Sequence, residues 1–265
     1  MQIIDTHAHI YLDEFSNDIA SVIQRAKDTG IKKIMLPNID KTTVIPMLKC
    51  CNKYPDICSP MLGLHPTSVK ANWKEELDEI FNLFQGFIDN KNESLDFCGI
   101  GETGIDLYWD KSFEKQQIES FIEQLNLAVK LDIPIVIHSR NSIELVLDIL
   151  SDYKNKIRGV LHCFPGNVEQ AYKSIEMGML IGVGGVVTYK NALIRKVVGA
   201  LPPKSIVLET DAPYLAPVPF RGKRNESSYL KFIIDEIASI KNIKSEEVCE
   251  NTFLNTCNML KKYSL

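Results

Sequence analysis

The chain contains five histidines, and each closes an apolar run: His7 and His9 after Ile3 and Ile4, His65 after ICSPMLGL, His138 after IPIVI and His162 after GVL. Carboxylates occupy the same kind of position, Glu102 after FCGIG and Asp211 after IVLET, with Glu209 two residues before Asp211. Side chains alternate sides along a β-strand, so His7 and His9 point the same way, close enough to grip one metal ion. Any one of these histidines alone reads as a hydrogen-bonded group at a strand end. All five at such positions read as a site. Nitrogen and oxygen donors without thiolates suit Zn²⁺, Mn²⁺, Fe²⁺ or Co²⁺, and with more oxygen Mg²⁺. Four histidines plus Glu102 and Asp211 exceed the needs of one ion. They favour two ions about 3.5 to 4 Å apart sharing a carboxylate, an arrangement that activates water and steadies both oxygens of a phosphoryl displacement.

For these residues to meet, the strands carrying them must lie side by side. Apolar runs place strands at residues 3–9, 31–37, 57–65, 97–102, 133–138, 159–162, 179–184 and 206–211. Helical spacing fills the intervals: Ile19, Val22, Ile23 and Ala26 before Gly30, then residues 44–54, 74–90, 116–131, 143–150, 167–177 and 191–200. The helix at 74–90 has Leu77, Ile80, Phe81, Phe84 and Ile88 on one face. Residues 103–108, Thr-Gly-Ile-Asp-Leu-Tyr, are turn-rich and are expected to form a loop. Eight strands alternating with helices predict a TIM-type (β/α)8 barrel over residues 1–265, with two further helices, 229–241 and 245–262, packed outside. A doubly wound open sheet would need a Gly-rich phosphate loop after the first strand, where this chain has His-Ala-His. Barrel active sites lie at the C-terminal ends of the strands, where every residue named above falls.

A formal net charge of −4 supplies no global basic field, which argues against a protein that coats nucleic acid by counterion release alone. The seven cysteines are odd in number and form no C-x-x-C pair, which fits a reducing compartment better than a disulfide framework. No basic stretch followed by an apolar leader is evident, and no apolar run approaches a membrane span, so a cytoplasmic location is expected, with no membrane and no obligatory protein partner.

Six motifs in order carry a family resemblance: DTHAH at Asp5 to His9, GLHP at Gly63 to Pro66, GETGID at Gly101 to Asp106, IPIVIHSR at Ile133 to Arg140, HCF at His162 to Phe164, and LETDAPYL at Leu208 to Leu215 with RGKRNE at Arg221 to Glu226. Along essentially its whole length the chain resembles the TatD-type metal-dependent deoxyribonucleases, within the amidohydrolase-like barrels. The resemblance implies that His7 and His9 hold one metal with Asp211, and that Glu102 bridges to a second held by His138 and His162. The cofactors it implies are two divalent ions (Mg²⁺, Mn²⁺ or Zn²⁺). It also implies DNA as substrate, cut at its phosphodiester bonds, with 3′–5′ exonuclease action on single-stranded ends as the specific expectation.

Asp211 can serve as general base on the bridging water, with Glu102 as its catalytic partner through the metals. Glu209 faces as Asp211 does and orients a metal ligand. His65 contacts a phosphate oxygen, orients the site or caps the turn at Pro66. Arg140 is suited to clamp a phosphate, Tyr108 and Trp109 to stack on a base, and Arg221, Lys223 and Arg224 to hold flanking phosphates. Ile105 stands where the family often has leucine, which leaves the metals untouched. Glu102 stands where several related amidohydrolases carry a carboxylated lysine, which favours the TatD-like branch. An amidohydrolase-type reaction on a C–N or ester bond, such as an aminoacyl-tRNA, needs the same polarised water and is the competing activity. A non-catalytic protein with a closed structural metal is a third reading.

Overall fold

The computed structural model describes residues 2–91 and 95–261. Its eight strands are β1 (Ile3–Asp5), β2 (Ile31–Pro37), β3 (Cys58–Leu62), β4 (Gly99–Asp106), β5 (Ile135–Arg140), β6 (Gly159–Leu161), β7 (Met179–Val183) and β8 (Ile206–Leu208). They pair in sequence order, every pair parallel. Closure comes from the N–H of Thr6 to the carbonyl of Leu208, the N–H of Asp211 to the carbonyl of His7, and the N–H of His9 to the carbonyl of Ala212. The result is the expected TIM-type (β/α)8 barrel. Between the strands run α1 (Ile19–Asp28), α2 (Lys41–Lys53), α3 (Trp73–Lys91), α4 (Glu114–Leu131), α5 (Ile143–Ser151), α6 (Val168–Glu176) and α7 (Ile194–Ala200), followed by α8 (Leu230–Lys241) and α9 (Ser245–Leu260). The side chain of Ile88, and Lys262 at the end of the last predicted helix, lie outside the described residues.

Strand parity divides the core. Ile3, Ile34, Leu36, Ile135 and Ile137 join the larger cluster with the helices, whereas Ile4, Met35, Met61, Val136, Val160 and Val207 form a second cluster within the barrel. Such double-sided burial explains why the strands read as unbroken apolar runs. The second cluster also takes in Cys257, Met259 and Leu260, so the end of α9 covers the floor of the barrel rather than only its flank. None of the seven cysteines is in a disulfide. Among the described residues no helix is long and apolar enough to cross a membrane.

Most strand ends differ from expectation: β3 stops at Leu62, three residues before His65, β5 runs on to Arg140, and three further differences bear on closure and the site. The ladder of β1 stops at Asp5, whose fully buried carboxylate accepts the Thr210 hydroxyl (2.7 Å) and the Thr210 N–H (3.0 Å), tying the first strand to the segment after the last. The β8 ladder stops at Leu208, and Asp211 adopts a left-handed backbone (φ 57°). The largest difference is in β4, which continues through the residues expected to form a loop and ends at Asp106. Gly104 read as a turn signal because glycine favours turns. Here it serves close packing, since a Cβ on it would lie 2.0 Å from the carbonyl oxygen of His138 on β5, at φ 134°. Gly104→Ala is therefore expected to destabilise the protein by about 3 kcal/mol through overpacking and backbone strain, read as a lowered urea midpoint. An unchanged midpoint would contradict this account of the glycine.

Candidate metal centre

The strand ends converge on a cavity of about 690 Å³ at the C-terminal mouth of the barrel, lined among others by His9, His65, Glu102, His138, His162 and Asp211. His7 and His9 do project together, with their Nε2 atoms 3.1 Å apart. His7 Nε2 lies 3.1 Å from Glu102 Oε2 and 3.7 Å from Asp211 Oδ1, and His9 Nε2 lies 3.6 Å from each of the same two oxygens. His162 stacks on His7 with ring centroids 3.5 Å apart and points Nε2 at Asp211 Oδ1 (3.8 Å) and Glu102 Oε1 (4.0 Å). His138 Nδ1 sits 3.0 Å from Glu102 Oε1. Glu102 is thus the carboxylate that all five histidines approach.

Hydrogen bonds on the far side of the His9 and His162 rings select the nitrogen that faces the cavity, whereas His7 Nδ1 is buried without a partner among the described residues. The Tyr11 hydroxyl donates to the carbonyl of Pro37 (2.6 Å), so it accepts from His9 Nδ1–H (3.0 Å) and leaves the His9 Nε2 lone pair toward the cavity. Glu209 accepts from His162 Nδ1–H (3.0 Å) and from the N–H of Cys163, with the same effect on His162 Nε2. The absence of a side chain at Gly182 makes room for Glu209, because a Cβ there would fall 2.5 Å from its Oε2. His65 behaves differently. Its Nδ1 accepts the N–H of Thr67 (3.2 Å), capping the turn at Pro66, so its Nε2–H donates to Glu102 Oε1 (3.3 Å).

Electrostatics follow from burial and these neighbours. Burial and the adjacent His162 push His7 down to about 4, which keeps its imidazole neutral and ligand-competent. Burial alone would raise the carboxyls of Glu102 and Asp211, but the histidines around them outweigh it and hold both below the usual carboxylate range. Burial opposes charge on His138 and His162, yet the carboxylates beside His138 raise it, as do Cys163, Glu209 and Asp211 for His162. A cation taking these ring nitrogens as ligands would displace protons. Among the described residues no lysine or arginine pairs with Glu102 or Asp211. Buried carboxylates gathered with imidazole nitrogens and unpaired to any lysine or arginine fit a divalent cation. The donors fall into overlapping groups, His7 with His9 and Asp211, His65 with Glu102 and His138, and His162 with either His7 and Glu209 or Cys163 and Asp211. His162 falls in donor groups with His7 and with Asp211, and His138 in one with His65 and Glu102, whereas the resemblance groups His162 with His138.

The predicted substrate contacts divide. Arg140 lines the cavity, and its guanidinium lies 3.8 Å from the centroid of the Tyr108 ring and 5.1 Å from that of Trp109. Trp109 lines the cavity as well, whereas Tyr108 stands behind Arg140 and is half exposed. Arg221 stacks over Tyr189 (4.5 Å) and is not part of the cavity lining. Arg224 forms a two-pronged ion pair with Asp18 and donates to the carbonyl of Glu14, while Glu226 pairs with Arg25. The RGKRNE segment is thus in large part a strap holding the loop after β8 to α1. Asp106 and Tyr11 are residues that sequence reasoning missed: Asp106 Oδ2 lies 3.0 Å from His138 Nε2, and the Tyr11 hydroxyl 3.0 Å from His9 Nδ1. Strand parity was the available signal for Asp106, since residues 102, 104 and 106 share a side once β4 is read through to its end.

The TatD related DNase family model matches residues 4–261. The chain is 36% identical to the uncharacterized metal-dependent hydrolase YabD of Bacillus subtilis over 96% of each sequence, and 29% identical to the 3′-5′ ssDNA/RNA exonuclease TatD of Yersinia pseudotuberculosis over 85% of this chain and 86% of that one. Among solved structures it is similar to the TatD homologue YjjV of Escherichia coli, with a TM-score of 0.87, 28% identity and 98% of each chain covered.

Proposed function

The chain belongs to the TatD related DNase family and is a metal-dependent hydrolase, and from that premise we propose that it cleaves phosphodiester bonds of DNA, trimming single-stranded ends in the 3′–5′ direction at a two-metal site. The observation that carries this reading is the belt of His7, His9, His162 and His138 around Glu102 and Asp211, open to a cavity with Arg140 on its wall. Divalent ions held by those six residues would supply an activated water and neutralise charge at phosphorus. Glu209, Tyr11 and Asp106 fix the ring orientations. Asp211, held ionised, is placed to take the proton from the attacking water. Arg140, stacked on Tyr108 and so limited in its own freedom, is placed to pair with a phosphate at the cavity wall. Trp109, 68% exposed, offers a face on which an unpaired base can stack. The cysteine pattern, odd in number and without a C-x-x-C pair, supports a cytoplasmic site of action as part of this reading.

Hydrolysis of a C–N or ester bond would use the same water, and the guanidinium in the cavity favours phosphate. Side-by-side assays of a single-stranded oligonucleotide against a cyclic amide and an aminoacyl ester, each with Mg²⁺, Mn²⁺ or Zn²⁺, test the choice. The expected result is turnover of the oligonucleotide alone. Turnover of the amide or ester without oligonucleotide cleavage would overturn the proposal.

A further inference from the structure

β4 carries two carboxylates to the same histidine. His138 has Glu102 Oε1 at 3.0 Å from Nδ1 and Asp106 Oδ2 at 3.0 Å from Nε2. The second oxygen of Asp106 is also engaged: Oδ1 accepts the N–H of Tyr108 (2.9 Å) and the N–H of Trp109 (3.1 Å). The main chain of Asp106 is clamped from α4, where Gln117 Oε1 accepts the Asp106 N–H (2.8 Å) and Gln117 Nε2 donates to the Asp106 carbonyl (3.2 Å). Asp106 is only 1% exposed, yet it lies between the metal centre and the exposed aromatic residues at the lip of the cavity. Arg140, two residues beyond His138 on β5, stacks on the same aromatic pair.

We propose that Asp106 is a positioning residue that holds His138 with Nδ1 as its metal-binding atom and shares one carboxylate between that histidine and the substrate-contacting segment 107–109. A neutral imidazole carries one proton. With that proton on Nε2 and donated to Asp106, the lone pair is on Nδ1, the nitrogen that faces Glu102. Because the same carboxylate anchors the N–H groups of Tyr108 and Trp109, the aromatic lip and the histidine are aligned by one group, fixed in turn by Gln117. This inference rests on the metal centre proposed above but not on the identity of the substrate.

The test is a titration of Zn²⁺ against a chromophoric chelator. Relative to the unaltered protein, Asp106→Asn, nearly the same size but with only one acceptor oxygen, is expected to weaken the Zn²⁺ affinity about 10- to 100-fold. In a His138→Ala background the same change should alter affinity by less than about twofold, because its effect passes through His138. Asp106→Ala should in addition raise acrylamide quenching of tryptophan emission, which reads Trp109 because Trp73 is buried. Unchanged affinity in Asp106→Asn, or an equal loss with and without His138, would overturn the role of Asp106. An unaltered protein that binds no Zn²⁺ would instead overturn the metal centre itself. Should the variants fold poorly, ¹⁵N NMR of the histidine rings in the unaltered protein decides the point. Zn²⁺ should shift His138 Nδ1 and leave Nε2 protonated, and a metal shift at Nε2 would contradict the proposal.

Discussion

Asp211→Asn and His138→Ala are each expected to abolish hydrolysis of a short single-stranded DNA, with a loss in kcat/KM on the order of a thousandfold or more. Asp211 Oδ1 lies 3.6 Å from His9 Nε2, 3.7 Å from His7 Nε2 and 3.8 Å from His162 Nε2, so a neutral amide there removes the charge on which three imidazoles converge. It also removes the group placed to accept the proton of the attacking water. His138 has a carboxylate 3.0 Å from each ring nitrogen, and truncating it leaves Glu102 and Asp106 facing an empty space. Neither change touches the barrel ladder, so both variants should keep their circular dichroism and a cooperative melt when compared with the parent in the presence of chelator. Steady-state hydrolysis beside a thermal melt checks the prediction. Full activity in either variant would refute the assignment of that residue.

Chelation of divalent ions should carry the second large effect. Dialysis against a strong chelator is expected to reduce turnover to the level of the inactive variants, and Mg²⁺, Mn²⁺ or Zn²⁺ should restore it. Stability should move with activity, because an ion that binds only the folded chain adds about 2.7 kcal/mol at a free concentration 100 times its dissociation constant. Mass spectrometry of the metal content supplies the count. Two exchangeable ions per chain agree with the proposed centre, whereas one tightly held ion with no effect on turnover would point to a structural metal.

Much of this site could be read from residue order, because a parallel barrel converts strand order into proximity. His7 and Asp211 are separated by more than two hundred residues, yet they meet because β1 and β8 are neighbours and both end at the same mouth. The alternation of Ile3 with Ile4 and of Ile34 with Met35 between two clusters likewise follows from strand periodicity. What escaped the sequence was set by close backbone approach and by side chains meeting across elements. Gly104 looked like a turn because the nearness of the His138 carbonyl cannot be seen from one strand, and that hid Asp106. The left-handed backbone at Asp211 has no composition signal, so β8 was drawn too long. The basic run at Arg221 to Arg224 read as a phosphate patch until Asp18 on the far side of the chain claimed Arg224. His65 reads from sequence as either a cap or a site residue; its Nδ1 caps the turn at Pro66, and its Nε2 lies 3.3 Å from Glu102 Oε1.

The most direct measurement of the central claim is digestion of a 5′-end-labelled single-stranded DNA and its duplex with Mg²⁺, Mn²⁺ or Zn²⁺, followed by resolution of the product ladder. Progressive shortening of the single strand from its 3′ end, with the blunt duplex cut more slowly and no ladder in the presence of chelator, is the predicted result. An intact label and an unshortened strand under all three metals would contradict the account.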